Sequence, residues 1–158
     1  MNSIQDANSN KTRKRSPMFK ILIVDPNDPF RQSLKKVLVN RFPSVDIQEA
    51  ADGNEGLQKV EDFHPHLIFL EIHLQAETGL ELAGRIKADH PNIIIVILTS
   101  YDLPEYQAAA EKMEVEHIVP KDDWTGEDMI ALVRSILSDL ELDEQVYKDP
   151  DKPRQQTS

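Results

Sequence analysis

The stretch Pro65-His66-Leu67-Ile68-Phe69-Leu70-Glu71 decides the fold. Four apolar residues, Leu67 to Leu70, run on without a polar one between them and end at a single carboxylate. A strand with one wet face would alternate. An unbroken run of this length is a strand covered on both faces, as in a parallel sheet. A charged residue after such a run sits at the strand's carboxyl end, and in open α/β sheets ligands bind at that edge.

Working outward, Phe19-Lys20-Ile21-Leu22-Ile23-Val24 is a second run of the same kind and stops at Asp25-Pro26-Asn27-Asp28-Pro29. Asp28 followed by Pro29 predicts an N-cap and first helical position. Phe30, Leu34, Val37, Leu38 and Arg41 continue at helical spacing, with apolar residues on one stripe. Val45 to Ala50 alternates, a strand nearer an edge, and Asp52-Gly53 is a turn signal. Leu57, Val60 and Phe63 make a short amphipathic helix ended by Pro65.

Beyond the central run, Thr78 and Glu81 predict a capping box for a helix carrying Leu80, Leu82, Ala83 and Ile86. Ile93 to Leu98 is a β-branched strand ending at Thr99-Ser100. Asp102, Pro104 and Glu105 start a helix through Tyr106, Ala109, Ala110 and Met113. Glu116 to Val119 is a short strand leading to Pro120-Lys121. Thr125 caps a last helix with an inner stripe of Met129, Leu132, Val133, Ile136, Leu137 and Leu140. The pattern is βα five times. It predicts a five-stranded, doubly wound parallel sheet with right-handed crossovers over residues 18–142. A basic tail at 1–17 and a polar tail at 143–158 are expected to be disordered.

The 158 residues suit one well-buried domain. No cysteine means no disulfide, thiolate chemistry or Cys-based zinc site. No apolar run reaches membrane-spanning length and no signal-peptide region opens the chain, so a cytoplasmic location is expected by default. The net charge of −10 is uneven, with +4 on residues 1–20 and −14 on the rest. An acidic body repels nucleic acid. His64, His66, His73, His90 and His117 lack the spacing and partners of a metal site. Trp124 is expected to pack at a helix start and Arg31 to reach solvent.

Four strand ends deliver Asp25, Glu71, Thr99 and Lys121 to one edge. Two carboxylates, a hydroxyl and an ammonium could bind a divalent cation or a phosphoryl group. They could equally form a buried Glu71–Lys121 ion pair with Asp25 and Thr99 capping loops, and spacing alone leaves both open.

The order of elements resembles the CheY-like receiver domain of bacterial two-component response regulators. The resemblance rests on Ile21-Leu22-Ile23-Val24-Asp25, Ala51-Asp52-Gly53 with Gly56-Leu57, Leu67-Ile68-Phe69-Leu70-Glu71 with Gly79-Leu80-Glu81-Leu82, Thr99-Ser100, and Lys121. It implies a five-stranded sheet of order 2-1-3-4-5. In that family an Asp ending strand three takes a phosphoryl group from a sensor kinase's histidine, and two acids after strand one help bind Mg²⁺. A Thr or Ser and a Lys contact the phosphoryl group and shift the surface of the fourth helix, fifth strand and fifth helix. Asp25, Thr99 and Lys121 match three of these positions.

The centre departs from the pattern. Glu71 stands for the phospho-accepting Asp, and its extra methylene carries the carboxylate about 1.5 Å further out. A misplacement of about 1 Å can cost roughly a hundredfold in an in-line transfer. Pro26 stands for the second acid, Gln75 for a usual proline, Ile118 for a common aromatic and Asp122 for a frequent proline.

The resemblance therefore implies a degenerate, non-enzymatic receiver that acts through protein contact, with Glu71 in the place of a phosphorylated Asp. Asp25 is its metal candidate, with Mg²⁺ binding weak or absent and no other cofactor. Its partner is expected to be a sensor kinase, a downstream regulator or a second copy of the chain. The alternative is a conventional stand-alone receiver that still binds Mg²⁺ and relays phosphate, holding the metal with Asp25, Glu71 and Asp28.

Other classes fit less well. A flavin-binding relative would need a Ser/Thr/Gly-rich loop after strand one, where this chain has two acids and two prolines. A phosphatase of the haloacid dehalogenase type needs Asp-x-Asp, and a P-loop NTPase a Gly-rich Lys loop.

Overall fold

A computed structural model describes residues 19–100 and 104–140. The expected tails and the expected role of Asp102 lie outside the described residues. Ten elements alternate: β1 (Lys20–Val24), α1 (Asp28–Arg41), β2 (Asp46–Ala50), α2 (Gly53–Phe63), β3 (Leu67–Glu71), α3 (Gly79–Asp89), β4 (Ile94–Thr99), α4 (Pro104–Lys112), β5 (His117–Pro120) and α5 (Gly126–Asp139). The strands form one sheet in the order β2-β1-β3-β4-β5, every neighbouring pair parallel. This is the five-stranded, doubly wound architecture expected from the alternation, with β3 at its centre.

Successive strand residues point to opposite faces, and the core divides accordingly. On one face Ile21, Ile23, Leu67, Phe69, Val96 and Leu98 meet Leu34 and Leu38 of α1 and Met129, Val133, Ile136 and Leu137 of α5. On the other, Leu22, Val24, Ile68, Leu70, Ile95 and Ile97 meet Val60 of α2, Leu82, Ala83 and Ile86 of α3, and Ala110 of α4. All five residues of β3 are buried, which is why that run carries no polar alternation. β2 is an edge strand with only Ala50 buried, as its mixed sequence indicated.

Several local expectations are corrected. The N-cap of α1 is Asn27, whose Oδ1 accepts the Phe30 N–H at 3.0 Å. Asp28 and Pro29 are thus its first two helical residues. Asp52 caps α2 by accepting the Glu55 N–H at 2.8 Å, so Asp52-Gly53 starts a helix rather than merely a turn. The same helix ends on His64 in the left-handed region, φ 56°. Leu140 is the exposed C-cap of α5 and not part of its inner stripe, while Ile130 is buried. The capping boxes at Thr78/Glu81 and Thr125/Asp128 both form.

Glu116 precedes β5 instead of opening it. Its carboxylate accepts the Ile95 N–H at 3.0 Å and the Lys87 ammonium at 2.6 Å. That fastening, which also ties Lys87 Nζ to the Ile93 carbonyl at 2.8 Å, closes the end of the sheet opposite the strand carboxyl termini.

At that same end His66 is half-buried. Its Nδ1 accepts the Lys20 N–H at 3.0 Å and its ring stacks on Phe19, centroids 5.1 Å apart. Burial, with a smaller contribution from the Lys20 charge, holds its pKa below the ordinary histidine value. The folded state therefore binds this proton less readily than the unfolded chain. The stabilisation is complete above the unfolded value of about 6.5 and is lost as pH falls through the lowered folded value. Thermal midpoints of the wild type should fall with acidification across that window, and His66→Asn should flatten the fall.

Candidate functional site

Register brings the candidate residues together. Val24 lies beside Leu70 across β1 and β3, so Asp25 and Glu71 emerge side by side. Glu71 pairs with Leu98, placing Thr99 just beyond it on β4. Thr99 pairs with Pro120, and the next residue, Lys121, donates its backbone N–H to the Thr99 carbonyl at 2.7 Å. A strand-end cluster drawn from four segments follows from the parallel topology alone.

Lys121 spans the two acids. Its Nζ lies 2.7 Å from Asp25 Oδ2 and 2.7 Å from Glu71 Oε1. The remaining carboxylate oxygens take backbone donors: the Asn27 N–H reaches Asp25 Oδ1 at 2.8 Å, and the His73 N–H reaches Glu71 Oε2 at 2.8 Å. Asp25 is 1% and Glu71 5% exposed. Each of the four oxygens thus has a donor from the chain, the condition under which buried carboxylates are tolerated.

Burial alone would lower the Lys121 pKa, but the hydrogen bonds and charges of Asp25 and Glu71 outweigh it and raise the value above that of ordinary lysine. The stabilisation this gives is complete below about 10.5 and is lost only as pH rises through the raised value. Lys121 is therefore an ammonium throughout the neutral range.

Thr99 is fully buried at the end of β4. Ile118 is half-buried on β5, Gln75 is exposed and Asp122 is exposed. Trp124 packs against the core on the α1–α5 side, edge-on to Phe30 with centroids 5.8 Å apart.

Arg31 does not reach freely into solvent as its position suggested. Its side chain is 12% exposed and donates to Glu49 at 2.8 Å and Asp28 at 2.7 Å, and also to the backbone carbonyl of Asp25. The cause is the edge strand: β2 runs beside β1 and places Glu49 level with Ile23. Burial raises the Glu49 pKa, but hydrogen bonds from Arg31, Lys35 and Gln32 more than reverse that, leaving it lowered.

Two contributors were missed in the sequence. The backbone N–H of His73 depends on the path of the loop after β3, which residue types do not reveal. Phe30 lies on the inner stripe of its helix as expected, but that its ring also sits 4.5 Å from Lys121 Nζ was not foreseen.

The resemblance to receivers implies a divalent cation. The donor set here does not fit one. Pro26 offers no side-chain oxygen, Lys121 stands between the two carboxylates, and their outer oxygens hold backbone N–H groups. Among the described residues no group of three His, Cys, Asp or Glu side chains could hold a metal ion.

Residues 21–134 match the response regulator receiver domain. The chain belongs to that family, whose members are generally non-enzymatic signalling modules. The response regulator MprA of Mycobacterium sp. (strain KMS) is 26% identical over 134 residues, covering 85% of this chain and 55% of that protein. A protein-glutamate methylesterase/protein-glutamine glutaminase of Hahella chejuensis is 33% identical over 94 residues, 60% of this chain and 27% of that one. The solved structure of a two-component response regulator from Clostridium difficile superposes with a TM-score of 0.72 at 27% identity, covering 78% of this chain and 98% of that chain. The chain thus spans between about a quarter and about half of these two curated relatives. Among the described residues no helix is long and apolar enough to cross a membrane.

Proposed function

We propose that this receiver works without phosphorylation, as a protein-contact signalling module whose phospho-acceptor position is held by Glu71. One observation carries the reading: Lys121 Nζ sits between Asp25 and Glu71 at 2.7 Å from each. The longer Glu71 side chain reaches the ammonium directly. The negative charge that phosphorylation would deliver is built in, and the positive charge that answers it is already engaged. Asp25, Glu71, Thr99 and Lys121 form the pocket, and Asp25 is too poorly supported by other oxygens to hold Mg²⁺ strongly. Output passes through the face of α4, β5 and α5 to a sensor kinase, a downstream regulator or a second copy of the chain.

Incubation of the whole chain with acetyl phosphate and Mg²⁺, followed by intact-mass measurement, tests this. The expected result is no added phosphoryl group. A phosphoryl group on Glu71 would sink the reading in favour of a conventional receiver. Titration with Mg²⁺ while observing Trp124, the only tryptophan, is a second check. A saturable change at sub-millimolar metal would also favour the conventional receiver.

A further inference from the structure

The Lys121 ammonium has a third neighbour that the charge count does not use. Phe30 presents its ring 4.5 Å from the Lys121 ammonium. That is well inside the roughly 6 Å over which a cation is attracted to a ring face. The ring is fixed from two sides. Its backbone N–H is held by the Asn27 side chain at 3.0 Å, and the Asn27 N–H is held in turn by Asp25 of the pocket at 2.8 Å. Trp124 meets the ring edge-on at 80°, and the capping box of Thr125 immediately after it sets where that indole stands. The ammonium is thus enclosed by two carboxylates and an aromatic ring, leaving its side chain 12% exposed.

We propose that Phe30 is a positioning residue for Lys121: its ring holds the ammonium on Asp25 and Glu71 and so keeps the pocket closed to small reagents. This rests on the closed, phosphorylation-independent reading above. A leucine would fill much of the same space, but it has no quadrupole to attract a cation. What the ring supplies is therefore separable from what its bulk supplies.

The test is the rate of amine acetylation of the full chain by a water-soluble acetylating ester, read lysine by lysine by mass spectrometry. Exposed Lys36 on α1 is the internal reference. In the wild type Lys121 should react at least about tenfold more slowly than Lys36, because two carboxylates hold its proton and its side chain is enclosed. Phe30→Leu should raise the Lys121 rate relative to Lys36 by roughly two- to thirtyfold, the span of cation–π strengths, and Phe30→Ala by at least as much. If Phe30→Ala does not fold, Phe30→Leu decides alone.

A Lys121-to-Lys36 ratio within about twofold of the wild type in the folded variants overturns the proposal. So does an equal rise at every lysine, which would mean general loosening. Acetyl phosphate labelling of the wild type keeps the two claims apart. Phosphoryl transfer to Glu71 overturns the phosphorylation-independent reading itself. No transfer, together with an unchanged Lys121 ratio, overturns only the role of Phe30.

Discussion

Gly79→Ala should cost roughly 3 kcal/mol or more, enough to lower the thermal midpoint by roughly 10 °C. The sign runs against helix propensity, which favours Ala over Gly by up to about 1 kcal/mol. Space decides it. A Cβ at position 79 would lie 2.2 Å from the Glu71 carbonyl oxygen, 2.8 Å from Ile72 Cα and 2.9 Å from the Glu71 carbonyl carbon. All three are backbone atoms of the central strand's end and cannot swing away as a side chain could. The contact is tight because the Gly79 N–H donates to the Ile72 carbonyl at 2.7 Å, drawing the start of α3 onto the end of β3.

Gly126 supplies the control. It too follows a Thr N-cap with a complete capping box, but its Cβ would meet only Val37 methyls at 3.5 and 3.6 Å. Gly126→Ala should therefore be neutral or slightly stabilising. Denaturant unfolding of both variants measures the difference. A loss below about 1 kcal/mol at Gly79 would mean that the strand end yields freely. The pocket built on Glu71 and the His73 N–H would then not be rigid.

The contrast between these glycines shows what the sequence could and could not disclose. Both stand after a threonine and before an apolar periodic run, and nothing local distinguishes them. Continuous runs such as Ile21–Val24 and Leu67–Leu70 disclosed the buried parallel sheet because burial on two faces leaves no room for polar alternation. That Asp25, Glu71, Thr99 and Lys121 share one edge of the sheet was legible for the same reason: each follows an apolar run, and parallel strands end on one edge. What was not legible depends on distances between segments far apart in the chain. Arg31 looks like a solvent-facing helical residue until the edge strand brings Glu49 against it. Phe30 packs against the core as its spacing suggests, but that it also faces Lys121 is not visible until the residue after β5 is brought across from it. Asn27 caps α1 in place of Asp28 because the Asp25 carboxylate holds its backbone N–H, a contact no propensity scale contains.

Lys121→Ala should be the most costly change in the pocket at neutral pH, roughly 3–5 kcal/mol, the usual cost of removing one partner from a buried ion pair. Two carboxylates, 1% and 5% exposed, would be left facing each other without a cation. Arg31 cannot replace it, since its guanidinium is committed to the Asp25 carbonyl, Glu49 and Asp28 rather than to the Asp25 carboxylate. The pH dependence identifies the mechanism. Like charges forced together favour taking up a proton, so the folded variant would bind one that its unfolded chain releases. That uptake should narrow the gap between variant and wild type as pH falls. His66 makes stability fall with acid in both chains, while the Lys121 ammonium of the wild type stays charged across that range, so the variant should lose less stability than the wild type between pH 8 and pH 5. Adding Glu71→Gln to Lys121→Ala removes one of the opposed charges and should recover roughly 1–3 kcal/mol, a coupling typical of groups in direct contact. Urea unfolding at pH 5 and pH 8 for the wild type, the single variant and the double variant measures all three quantities. If Lys121→Ala is neutral, or its loss relative to the wild type is the same at pH 5 and pH 8, the carboxylates do not face each other as an enclosed pair. The Glu71 carboxylate would then be open to water, and the proposed phosphorylation-independent reading could not rest on an enclosed Glu71–Lys121 pair.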